Sequence, residues 1–246
     1  MSQPTAIVTG ASRGIGRAIS QKLADHDFLV TGISRKIEPG SPFALTLKGD
    51  ISELDVHKTL VNQVVEKFGR IDLLVNNAGI APLVRKDIME TDATTFDQVL
   101  GVNLRGTFFF TQAVVRSMLQ SKKQIPDYQP SIIFITSISA VTSTPNRSAY
   151  CISKAGLSMA ARLFADRLTV HGIPVFEIRP GITHTDMTRP SQERYDKMIK
   201  EGLVPMGRWG EPEDIAQTVL ALANGALPYS TGNVIELSGG MNIRHL

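Results

Sequence analysis

The 246-residue chain has one cysteine, Cys151, and one tryptophan, Trp209. A single cysteine excludes an intrachain disulfide and a thiolate metal cluster, and Cys151 reads as a small packed residue with no chemistry assigned to it. The histidines His26, His57, His171, His184 and His245 are scattered, with no i, i+4 pair and no carboxylates at metal-site spacing, so no metal is expected. Apolar runs such as 132–135 and 107–110 fall far short of the roughly 20 residues that a membrane-spanning helix needs. The opening residues 1–5 carry neither the basic segment nor the apolar stretch of a signal peptide, and a cytoplasmic location is expected. Net charge is only +3, with lysine and arginine dispersed, which leaves no basic stripe for a nucleic-acid backbone.

What the chain has in quantity is apolar residues, 42% of the total, enough for one core. They fall into short β-branched runs at 6–9, 28–33, 44–47, 71–75, 132–136, 174–178 and 234–237, which predict buried strands. Amphipathic stretches at 14–24, 52–68, 93–120, 148–170 and 212–223 lie between most of them and predict crossover helices. Ser52 and Asp55 have the spacing of a capping box, and Glu211-Pro212-Glu213-Asp214 places proline and acids where a helix N-terminus favours them. The alternation predicts an α/β fold: a single-domain, Rossmann-type, doubly wound parallel sheet of about seven strands with helices on both faces, spanning 1–246. The segment 36–42, with Pro39-Gly40-Ser41-Pro42, is too broken for a helix, and 121–130 reads as an exposed connection.

The first strand runs into Thr9-Gly10-Ala11-Ser12-Arg13-Gly14-Ile15-Gly16, and a helix follows at once. Glycines in such a turn let the backbone bend sharply and approach a diphosphate, whose charge then meets free N–H groups and the helix dipole. A glycine-rich turn alone is weak; the flanking strand and helix strengthen it. The spacing is G-x-x-x-G-x-G, a departure from G-x-G-x-x-G.

These residues resemble the classical short-chain dehydrogenase/reductase family, and the resemblance runs over nearly the whole chain. Asn76-Asn77-Ala78-Gly79 is similar to the family's N-N-A-G, with Asn103 in the helix beyond. Ser137 ends the fifth strand, and Tyr150 with Lys154 forms Y-x-x-x-K. Pro180-Gly181-Ile182 with Thr185 looks like the P-G-x-x-x-T cofactor loop. The resemblance implies a nicotinamide cofactor held by Gly10, Ser12, Arg13, Gly14, Ile15, Gly16, Asn77, Ala78, Gly79, Tyr150, Lys154, Pro180, Gly181, Ile182 and Thr185, with Asp50 and Ile51 beside the adenine.

At the end of the second strand, where an acid would grip the adenosine ribose, stand Ser34, Arg35 and Lys36. Arg35, with Arg13 and Ser34, suits a 2′-phosphate and points to NADP(H); Glu38 keeps NAD(H) as the alternative. Tyr150 and Lys154, at i, i+4, share a helix face. Carbonyl reduction needs a proton delivered to the developing alkoxide, and an ordinary tyrosine titrates near 10, so a nearby ammonium that favours the phenolate helps. By resemblance Tyr150 is the general acid and base, Lys154 tunes it and holds the nicotinamide ribose, Ser137 hydrogen-bonds the substrate oxygen, and Asn103 joins a water relay.

The implied activity is hydride exchange between nicotinamide and a ketone or secondary alcohol, an EC 1.1.1-type reaction, with likeness to 3-oxoacyl-acyl carrier protein reductases. Substrate identity rests in variable segments: Ser139, 141–145 and a stretch at 184–209 that reads as a helical lid carrying Arg189, Arg194, Tyr195, Met198, Met206 and Trp209. Arg85, Arg147 and Arg189 are candidates for an anionic substrate group. The resemblance also implies a homotetramer, with a homodimer as the alternative, paired through 93–120 and 148–170. Two other functions fit parts of the pattern: a non-catalytic NADP(H)-sensing regulator, and a sugar-nucleotide epimerase or dehydratase, for whose added domain the chain leaves little room.

Overall fold

In the computed structural model, which describes residues 3–243, seven parallel strands form one sheet in the order β3-β2-β1-β4-β5-β6-β7. They are β1 (Thr5–Thr9), β2 (Leu29–Ser34), β3 (Leu45–Lys48), β4 (Leu73–Asn76), β5 (Ser131–Ile135), β6 (Val175–Pro180) and β7 (Val234–Leu237). The terminal residues 1–2 and 244–246, His245 among them, lie outside the described region. The strand order reverses direction between β1 and β4, which creates the crevice at the carboxyl ends of the strands where such sheets take ligands.

Both sheet faces are buried, so the strands read as continuous apolar runs whose side chains alternate between two cores. Leu74, Ile132 and Phe134 face one core with α2 (Val56–Phe68), α4 (Thr107–Lys122) and α5 (Ser148–Thr169). Leu73, Val75, Ile133 and Ile135 face the other with α1 (Gly14–Ala24) and α7 (Pro212–Ala223). On α1 the buried residues are Gly16, Ile19, Ser20 and Leu23, the i, i+3, i+4, i+7 stripe of a helix with one covered face. At the start of α7, Glu211 and Asp214 form a reciprocal capping box with proline behind it.

Three expectations are corrected. The helix predicted over 52–68 starts at Val56, because Ser52 gives both its N–H and its hydroxyl to Asp50 Oδ1, at 2.9 and 2.7 Å, in a local turn that competes with a helical cap. The helix predicted over 93–120 is three pieces: α3 (Ala93–Leu100), a π-helical segment Gly101–Gly106, and α4. The connection predicted over 121–130 is only partly exposed, since α4 continues to Lys122 and the Tyr128 ring is buried with its hydroxyl donated to the Ile71 carbonyl. The 36–42 segment is irregular, as its prolines require.

Candidate active site

The glycine turn sits at the carboxyl end of β1, and two of its glycines are required by contact. A Cβ on Gly16 would lie 2.3 Å from the Gly10 carbonyl oxygen, and one on Gly10, whose φ is +66°, would lie 2.8 Å from Ala78 Cα. The turn is tied to the N-N-A-G segment: Asn77 Nδ2 donates to the carbonyls of Thr9 and Gly10 at 2.9 and 3.2 Å, while Thr9 Oγ1 accepts from the N–H groups of Asn77 and Ala78. Gly14 opens α1 with no acidic residue in the first turn. The first N–H groups of the helix and the bare Cα surface therefore form a cradle for a diphosphate. The side chain of Thr185 stands across from Gly14, 3.6 Å from where a Cβ would be.

At the β2 side of this crevice no acid ends the strand. Ser34 Oγ lies 3.1 Å from Ser12 Oγ, and Arg35 reaches Asp50 only loosely, 3.8 Å between charged atoms, with most of its side chain in solvent. Arg13 pairs with Asp186 at 3.6 Å and is equally exposed. Both guanidiniums are held at the rim by weak pairs that an incoming phosphate could displace.

At the other end of the crevice the loop after β5 and the first turns of α5 converge. Tyr150 and Lys154 are both buried on the same face of α5, with the ammonium 5.8 Å from the ring centroid. Lys154 Nζ donates to the Ile135 carbonyl at 3.0 Å. Burial, and then the neighbouring charge of Arg147, pull the Lys154 ammonium down to about 8, against the opposing attraction of Glu177. Ser137, at the end of β5, accepts the Ser139 N–H on its hydroxyl oxygen, which leaves its proton free for a ligand. Asn103 lies in the π-helical segment and is wholly buried. Its amide is taken by the Ile80 N–H at 2.7 Å, the Ile80 carbonyl at 2.9 Å and Ser153 Oγ at 3.0 Å.

The glycine turn, the rim arginines, Ser137, Tyr150 and Lys154 face one cleft of about 1490 Å³. Every residue singled out from the sequence for cofactor or chemistry lines it except Asn103, which stands behind the wall. The 184–209 stretch is helical at Arg189–Ser191 and in α6 (Gln192–Lys200), and it is tethered at its base by a bridge between Thr183 and Gly210. Of the residues picked there, Arg194, Tyr195 and Met198 line the cleft; Arg189, Met206 and Trp209 do not. Arg189 turns to Asp186, and Trp209 donates its N–H to Asp196 at 2.7 Å. Asp87 and Met241 also line the cleft, a placement that no local pattern carries. Among the described residues no cluster suited to a metal ion occurs, and no helix is long and apolar enough to cross a membrane.

A family model described as Enoyl-(Acyl carrier protein) reductase matches residues 10–242. The 3-oxoacyl-[acyl-carrier-protein] reductase FabG of Staphylococcus epidermidis is 34% identical over 96% of this chain and 98% of its own length. Carbonyl reductase family member 4 of Xenopus tropicalis is 35% identical over 96% of this chain and 97% of its own. A solved 3-oxoacyl-[acyl-carrier protein] reductase from Brucella melitensis, in complex with NAD, superposes with a TM-score of 0.96 at 41% identity, covering both chains completely.

Proposed function

The chain belongs to the short-chain dehydrogenase/reductase family, an oxidoreductase acting on C=O and CH–OH groups, and on that premise we propose that it reduces a 3-oxoacyl thioester with NADPH. The observation that carries this reading is the convergence of Ser137, Tyr150 and Lys154 on one wall of a cleft whose opposite end is the glycine cradle.

Reduction needs a hydride at carbon and a proton at oxygen. The bound nicotinamide would supply the hydride. The Ser137 hydroxyl, its oxygen already fixed by the Ser139 N–H, donates to the substrate carbonyl and shares the charge that builds there. Tyr150 gives its phenolic proton to the same oxygen, or takes it back in oxidation. Lys154, anchored by Ile135, presents its cation beside that phenol and would hold the nicotinamide ribose. Asn103 holds the Ile80 backbone by both faces of its amide and so fixes the loop between cradle and catalytic wall; Ser153, its third partner, is adjacent to Lys154, the route by which a water relay would start.

The preference for NADP(H) follows from Arg35 and Arg13 at the rim and from the absence of an acid at the end of β2 among the described residues. The 184–209 stretch serves as a lid on this single domain. Phe109 on α4 and Ile152, Met159 and Leu163 on α5 are exposed apolar residues that suit a homotetramer paired through these helices.

The test is nicotinamide oxidation by the purified protein with acetoacetyl-coenzyme A, with NADPH and NADH compared, in wild type, Tyr150→Phe and Arg35→Ala. Turnover that Tyr150→Phe abolishes, with an NADPH preference that Arg35→Ala erases, is expected. Nicotinamide binding with no turnover of any carbonyl would instead make the protein a sensor, and a preference for NADH would remove Arg35 from its assigned role.

A further inference from the structure

Arg147 caps the N-terminus of α5, three residues before Tyr150, and its guanidinium carbon sits 4.2 Å from the centroid of the Tyr150 ring. Its Nε is buried with no hydrogen-bond partner, and none of the ion pairs among the described residues includes it. The contrast with Arg179 is instructive, since all three nitrogens of that buried guanidinium are taken up by Glu177, Ser158 and Glu236. Beside Arg147, Asn146 Oδ1 is also buried and unpartnered. Both residues line the cleft.

A half-buried cation without a counter-charge is costly, and here it faces a second cation, Lys154, whose own proton it weakens. An apolar residue would fill the space over the tyrosine ring without that cost. The arrangement makes chemical sense when a ligand brings an electron-rich oxygen to the guanidinium. With the reacting carbonyl at the Tyr150 hydroxyl, the place over the ring is reached by an oxygen on a carbon one or two bonds farther along the substrate.

We propose that Arg147 is a specificity-determining residue, whose guanidinium donates to the C1 oxygen of a 3-oxo substrate while the 3-oxo group lies between Ser137 and Tyr150. This rests on the oxidoreductase reading above and narrows it. A simple ketone leaves the guanidinium unpaired in the closed complex; a 3-oxoacyl group completes it. The C1 oxygen can belong to a thioester or to the carboxylate of a free 3-oxo acid, and the two are separable.

The test compares wild type, Arg147→Met and Arg147→Lys on acetoacetyl-coenzyme A, free acetoacetate and 2-butanone. Arg147→Met is expected to lose on the order of 10- to 100-fold in kcat/KM on the oxo-acyl substrates, mainly through KM, with a far smaller loss on 2-butanone and partial rescue by lysine. A deficit confined to acetoacetyl-coenzyme A identifies the thioester as the partner, and one confined to acetoacetate identifies the free acid. Equal losses on all three would mean that Arg147 acts only through Tyr150, and no loss would leave it without a role; either overturns the proposal. Calorimetric binding of acetoacetate and acetoacetyl-coenzyme A to the protein saturated with NADP⁺ reads the same contact without turnover, and unchanged affinity of both for Arg147→Met also overturns it. Wild-type affinity of that variant for NADP⁺ establishes that it is folded. If the wild type reduces no carbonyl with either nicotinamide, the oxidoreductase reading falls, while the binding difference still decides the fate of Arg147.

Discussion

Thr136 Oγ1 donates a 2.7 Å hydrogen bond to Glu177 Oε1, so the residue immediately before Ser137 is moored to a carboxylate buried in the neighbouring strand. The other oxygen of that carboxylate accepts from Ser158, one helical turn beyond Lys154, and Arg179 closes the group at 2.6 Å. The segment that leads from β5 to Ser137 and the helix that carries Tyr150 and Lys154 are thereby locked to one charged centre.

The first prediction concerns that centre. Glu177→Leu leaves Arg179 with only the partly exposed Glu236 as a counter-charge, and losing one partner of a buried pair costs about 3–5 kcal/mol. For a domain of this size each kcal/mol lowers the midpoint of thermal unfolding by roughly 2–4 °C. The double variant Glu177→Leu, Arg179→Met should recover a large part of the loss, because the orphaned charge leaves with its partner. Thermal unfolding of the three proteins decides it. A double variant no better than the single one would mean that shape, and not charge, is what the centre supplies.

The second follows from Lys154. The unfolded chain holds this proton up to 10.5, the folded chain only to about 8. Below pH 8 the ammonium is charged in both states and folding bears the full desolvation penalty; between 8 and 10.5 the folded state is relieved of it by releasing the proton, so stability rises with pH through that window. Measured against Lys154→Met, the wild type should gain on the order of 3 kcal/mol at most across the window. Denaturant unfolding at stepped pH reads this directly, and a constant difference between the two proteins would contradict it.

These two predictions also mark how far the sequence could be read. The strands were legible because both sheet faces are buried, which writes each of them as an unbroken β-branched run such as Ile132–Ile133–Phe134–Ile135. The glycine turn and the shared helix face of Tyr150 and Lys154 were legible because chain spacing alone sets each of them: close glycines before a helix make the turn, and i, i+4 residues lie on one face. Glu177 and Arg179 were not, since a charged pair inside a strand looks like any polar alternation until Thr136, Ser158 and Glu236 arrive from other elements. The π-helical segment escaped for a related reason: it carries Asn103, whose amide bonds both backbone groups of Ile80, a contact across 23 residues that no local pattern announces. Ser52 was misread because its side chain had a nearer acceptor, Asp50, than the helix it seemed to cap.

The third prediction tests the cradle. Gly16→Ala places a methyl group 2.3 Å from the Gly10 carbonyl oxygen, backbone of the turn itself, and 2.5 Å from Asn77 Nδ2, which is bonded to that turn. Backbone cannot yield as a flexible side chain would, so the turn must open. NADPH affinity, followed by nicotinamide fluorescence, should drop by at least about tenfold, roughly 1.4 kcal/mol. Gly69→Ala, at a glycine of φ +84° with open space around it and outside the residues that line the cleft, provides the control for backbone strain alone. Equal nicotinamide affinity in both variants would remove the close approach at Gly16 from the account.

The last prediction uses the one tryptophan of the chain. Trp209 is bonded to Asp196 on α6 at 2.7 Å and meets the edge of Tyr195 at 5.7 Å between ring centroids. Tyr195 and Met198 on the same short helix line the cleft, so any closure of α6 over a ligand must pull on the indole. Emission from Trp209 should therefore shift when NADP⁺ and acetoacetate are both bound, and Asp196→Ala should weaken that response while raising KM a few-fold, because the lid loses the bond that holds it in register. The oxidised cofactor is the right probe, since NADPH fluorescence would overlap the signal. Trp209 is not among the residues that line the cleft, so a shift on ligand binding is read as movement of the helix bonded to it. Identical emission in the free, binary and ternary states, together with wild-type KM in Asp196→Ala, would mean that residues 184–209 are a fixed wall of the cleft.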